Sequence, residues 1–121
     1  MGNGHPVEDF FAGHPDGRAV AAAVASAVDA LGHAEVRVSR SQVAFRRRTG
    51  FAYLWRPGQY LSSEVPAVLS IALPRELASD RWKEVVHPAT GTWMHHLELR
   101  GPREVDDEVR EWLAEAYAAA G

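Results

Sequence analysis

The sequence predicts an α+β domain, an antiparallel sheet of about five or six strands with an N-terminal and a C-terminal helix packed on one face. Three observations lead there. Apolar residues recur at helical spacing near both ends of the chain. Between those stretches they alternate with period two, and glycine and proline pairs divide that middle region into short runs. The 121 residues suffice for one domain with its own core.

In order, Met1 to Gly13 has no sustained period and is expected to be a loose segment, leaving residues 14–121 as the single domain. Pro15-Asp16-Gly17 opens the first helix with Asp16 as its expected cap, and Gly32 closes it; Val20, Val24, Ala27, Val28 and Leu31 form its apolar stripe. Glu35 to Ser39 reads as the first strand. Val43 to Arg48 and Phe51 to Arg56 read as a hairpin turning at Thr49-Gly50, with Gly50 at positive φ and a register that sets Arg46 opposite Tyr53 and Phe45 opposite Leu54. Gln59 to Pro66 reads as a polar loop, and Ala67 to Leu73 as the fourth strand, stopped by Pro74. Trp82 to His87 and Thr92 to Leu99 form a second hairpin. Beyond Gly101-Pro102, Val105, Val109, Trp112, Leu113, Ala116 and Tyr117 mark the final helix, with Asp106, Asp107 and Glu108 at its start.

Alternation sorts the strands into two faces. Phe45, Leu54, Leu69, Ile71 and Leu97 belong to the core, with Val20, Val24, Val109, Trp112 and Leu113 from the helices. Arg46, Arg48, Phe51, Tyr53 and Trp55 fall on the other face, joined by Val68, Ser70, Ala72, Met94 and His96. Guanidinium groups among aromatic rings could hold an anionic or planar ligand, or the face could be closed by a second protomer. A register that sets His87 opposite Thr92 puts Glu84 opposite His95 among apolar neighbours that include Val86. That pair could act as a carboxylate-oriented general base, although no nucleophile motif accompanies it.

Composition removes several classes. Without cysteine there is no disulfide, thiolate metal site or cysteine nucleophile, which fits a reducing cytoplasm. No signal-like start and no run of roughly 20 apolar residues is present, so no membrane association is expected. Adjacent His95 and His96 point to opposite faces of a strand and cannot chelate one ion, and no phosphate loop or dinucleotide fingerprint occurs; no metal and no cofactor are expected. Six arginines and no acid lie between Val36 and Ser63, whereas Glu104 to Gly121 holds six acids and one arginine. The domain should therefore be dipolar, yet its net charge of -3 disfavours nucleic acid as the partner.

Arg81-Trp82-Lys83-Glu84-Val85-Val86-His87, Trp93-Met94-His95-His96-Leu97-Glu98-Leu99 and Asp106-Asp107-Glu108-Val109-Arg110-Glu111-Trp112-Leu113 with Glu115-Ala116-Tyr117 resemble a bacterial family of short proteins catalogued only as a domain of unknown function. Val38-Ser39-Arg40-Ser41-Gln42-Val43-Ala44-Phe45 is similar to that family's first hairpin. The resemblance implies no activity. A fold-level similarity to YjbR-like proteins, with a double-wing DNA-binding motif, implies α+β architecture and raises nucleic acid as a partner. The reading preferred from these residues is a cytoplasmic binding domain that uses Arg46, Arg48, Tyr53, Trp55 and His96 to meet an unidentified ligand or protein, or a second copy of itself as a homodimer. The alternatives are a small acid/base enzyme centred on His95 and Glu84, and a DNA-associated module.

Overall fold

The computed structural model describes residues 6–59 and 63–121, so residues 1–5 of the N-terminal segment and 60–62 of the expected polar loop lie outside the described residues. Strands β1 (Glu35–Val38), β2 (Val43–Arg46), β3 (Gly50–Trp55), β4 (Ala67–Leu73), β5 (Glu84–Ala89) and β6 (Thr92–Leu99) form one antiparallel sheet in the order β1-β2-β3-β4-β6-β5. Helices α2 (Pro15–Asp29) and α3 (Asp107–Ala119) pack across its central strands, after a single helical turn α1 (Pro6–Asp9). This is the α+β class that the alternation predicts. All ten core residues expected from periodicity are buried in one cluster, none more than 7% exposed.

The helix ends follow local chemistry. Pro15 sits in the first turn of α2, where its missing N–H removes no helical bond. Asp16 is not the cap: His14 holds that position without a side-chain bond, and Asp16 lies inside the first turn, where a carboxylate favours the positive helix end. In α3 the cap is Asp106, whose carboxylate accepts the Val109 N–H at 3.1 Å. From residue 6 the expected loose segment joins the core, because Val7 and Phe11 are fully buried. Phe11 lies so close to Gly17 that a Cβ there would meet its ring.

Both hairpins depart from the expected registers. In the first, Phe45 faces Ala52 rather than Leu54, a slip of two residues that leaves Val43, Phe45, Ala52 and Leu54 on the core face. A bulge then sets Arg46 opposite Gly50, and the extra residue, Phe51, turns inward, fully buried and edge-on to Tyr117 at 5.5 Å. Gly50 does not have the positive φ expected of it; Gly91, at the β5–β6 turn, does, with φ 76°. In the second hairpin a bulge between Val86 and Ala89 moves the register by one residue, so Glu84 faces His96 and Val85 faces His95. One residue is enough to exchange faces, and Val86, expected inside, emerges 37% exposed opposite Met94.

Candidate functional site

The helices lie on one side of the sheet only. The core cluster gathers the buried side chains of α1, α2 and α3 with the inward residues of the strands, and contains none of Ala44, Tyr53, Trp55, Val68, Ser70, Ala72, Met94 or His96. Those residues form the outer face. One row crosses it from edge to edge, Arg37, Ala44, Tyr53, Ser70, His96 and Glu84, each paired with the next. Beside it run Trp55, Val68 and Glu98 on one flank and Ala72, Met94 and Val86 on the other.

In the middle of this face is a chain of hydrogen bonds. The Trp55 indole N–H donates to Ser70 Oγ at 3.0 Å, and Ser70 Oγ lies 2.6 Å from His96 Nδ1. The Trp55 and His96 rings stand edge to face at 6.4 Å, so Ser70 is only 3% exposed although no helix covers it. Burial pushes the His96 pKa below its ordinary value, and the charge of neighbouring Glu84 offsets only part of this. Above the chain opens a cleft of about 380 Å³ lined by Gln42, Tyr53, Trp55, Ser70, Met94 and His96. Two flat rings, a thioether, an amide and an imidazole meet there, with no lysine, arginine or carboxylate among the described residues of the lining. A second cleft of about 240 Å³, at the start of α2, mixes Arg56 with Asp16 and Glu64 and presents no consistent charge.

Of the residues expected on the functional face, Tyr53, Trp55 and His96 are brought together. The arginines are not. Arg46 turns toward the β1 edge, its Nε 3.9 Å from Glu35, and Arg48 lies in the β2–β3 loop, where its backbone N–H donates to Ala120 O at 2.9 Å. Arg47, with no role expected, places its guanidinium 4.0 Å above the Tyr117 ring and donates to Tyr117 O at 2.8 Å. The His95–Glu84 pair does not form, because the bulge puts the two on opposite faces. His95 is fully buried: its Nε2 accepts the Leu77 N–H at 3.0 Å and so ties the β4–β5 crossing to β6, while its Nδ1 lies 3.0 Å from Trp93 O within its own strand. The residues missed as functional are Ser70, Met94 and Gln42. A lone serine inside the apolar run of β4, assigned outward by alternation, was the available signal for the first.

Ser70, His96 and Glu84 share a row, an order that invites comparison with a hydrolytic triad. The geometry does not support it. Ser70 Oγ is buried and already accepts a proton donor, and no hydrogen bond joins Glu84 to His96 among the described residues.

The fold and cleft define an α+β domain with one sheet face sealed by helices and the other covered by no described helix. The chain belongs to the family described as Domain of unknown function (DUF5655), whose model matches residues 7–120. No curated protein and no solved structure matches it.

Proposed function

We propose that the protein is a binding module whose ligand seats in the outer-face cleft. The observation that carries this reading is the Trp55–Ser70–His96 chain, a buried serine between two half-buried rings on a sheet face that no described helix covers. A solvated outer face ordinarily carries polar residues alternating with the core, whereas this one presents Tyr53, Trp55, Met94 and Val86. The nucleic-acid reading loses support, since neither Arg46 nor Arg48 lines the cleft with the rings. The chain's lack of cysteine suits a cytoplasmic setting, and no helix among the described residues is long and apolar enough to cross a membrane.

A fragment library screened against the ¹⁵N-labelled protein tests the proposal. Hits should shift the Trp55 indole, Gln42, Met94 and His96 signals together, and Trp55→Ala should abolish them; hits confined to other surfaces would contradict it. Self-association through the same face is a second reading, favoured by Val86, which is 37% exposed beside Met94. It requires a dimer in light scattering that Trp55→Ala converts to monomer.

A further inference from the structure

The hydrogen-bond chain fixes where protons lie. An indole nitrogen can only donate, so Ser70 Oγ is the acceptor of the Trp55 bond. The serine's own proton then goes to the one other partner its oxygen has among the described residues, His96 Nδ1 at 2.6 Å. An imidazole that accepts at Nδ1 carries its hydrogen on Nε2. That Nε2–H has no hydrogen-bond partner among the described residues, and His96 lines the cleft. Protonating His96 would require a hydrogen on Nδ1 and would break the bond from Ser70, so the ring acts as an uncharged donor. Burial of the ring acts in the same direction.

The surroundings narrow what this donor can meet. Tyr53 and Trp55 offer flat apolar walls and Met94 an adaptable one, while Gln42 adds an amide. Among the described residues no cation lines the cleft, and Glu84 opposite His96 sets a negative charge beside it, whereas Glu98 farther along β6 is paired with Arg100 at 3.6 Å. An anion entering it would be desolvated without compensation. A cation would gain from the Glu84 charge and from the ring faces, but an amidinium or ammonium has only donors to set against the His96 Nε2–H and would leave that group unpaired. We infer that the cleft selects an uncharged, planar ligand, aromatic or heteroaromatic, that accepts a hydrogen bond from His96 Nε2–H through a carbonyl oxygen or ring nitrogen. This deepens the binding reading above and rests on it.

Benzamide, benzoate and benzamidinium share one planar shape and differ in charge, so they make the test. Each is titrated into the ¹⁵N-labelled protein while the Trp55 indole and His96 ring signals are followed. Benzamide should bind, and the two ions should bind at least about tenfold more weakly, the order of one lost hydrogen bond to a buried group. Ser70→Ala, which leaves the cleft's shape but frees the imidazole tautomer, should weaken benzamide and reduce its advantage over the ions. If benzoate or benzamidinium binds as well as benzamide, the inference about ligand charge fails and the binding face stands. If none of the three moves the Trp55 signal, both fall.

Discussion

A methyl group added at Gly50 would run into the hydroxyl end of Tyr53, which lies across that glycine on the outer face. Gly50 is thus needed for close approach. Gly50→Ala should destabilise by about 1 to 3 kcal/mol, the usual cost of overpacking, and should be close to neutral in a Tyr53→Ala background. Urea denaturation of the four proteins measures that coupling; equal costs in both backgrounds would show that Tyr53 is not held there. His96 gives a pH signature. Its folded pKa is below the ordinary value of 6.5, so the unfolded chain binds more protons between the two values and stability rises with pH across that window. Acidification below about pH 6.5 should therefore destabilise the protein, and His96→Gln should flatten that part of the stability curve.

Helix α3 shows how one element is held by residues far apart in sequence. Arg81, from the β4–β5 crossing, bonds Asp106 at 3.0 Å and Glu108 at 2.8 Å, and its Nη2 donates to Glu104 O at 3.1 Å. Burial alone would raise the Asp106 pKa, but the Val109 N–H and Arg81 outweigh it and hold the carboxyl below its ordinary value. Asp106→Ala should cost about 1 kcal/mol as a lost cap. The sign is that of a depressed carboxylate: the contribution is full above the ordinary value of 3.8 and disappears as pH falls through the folded one. Parent and variant should accordingly converge in acid denaturation. Trp112, 7% exposed and 4.2 Å from the Trp82 ring, anchors the middle of the same helix. Trp112→Ala should cost about 3 to 5 kcal/mol, and a variant with the parent's denaturation midpoint would show that α3 packs otherwise.

The elements were legible where periodicity alone decides them. β4 and β6 run over the residues that alternation assigns, and α3 carries its stripe from Val109 to Tyr117. What was not legible is what turns and bulges decide, since a bulge inserts one residue without disturbing the apolar pattern that would reveal it. Hence alternation alone puts Phe51 on the outer face and Glu84 opposite His95, whereas the fold buries Phe51 and pairs Glu84 with His96. The candidate site was half readable: alternation placed Tyr53, Trp55, Ser70, Met94 and His96 on one face. The bond that makes Ser70 and His96 a unit depends on a register across β4 and β6 that no local signal specifies.

Across the whole molecule, the acidic helix α3 is held by arginines, of which Arg47 alone belongs to the basic stretch between Val36 and Ser63. Arg47 caps Tyr117, Arg75 binds Glu115 through two bonds of 2.9 Å, and Arg81 grips the helix start, so three arginines from two loops meet the acidic helix. Such exposed pairs add little stability individually, but they engage arginines that a nucleic-acid surface would need. The middle of the outer face is left with rings, a thioether and one polar chain, between Arg37 at one edge and Glu84 at the other. That chain fixes His96 as a neutral donor at Nε2, and ¹⁵N-histidine labelling reads it directly. Long-range proton–nitrogen correlations at neutral pH should show His96 as a single tautomer, protonated at Nε2 and unprotonated at Nδ1. A proton on Nδ1, whether as the other tautomer or as the imidazolium, would contradict it.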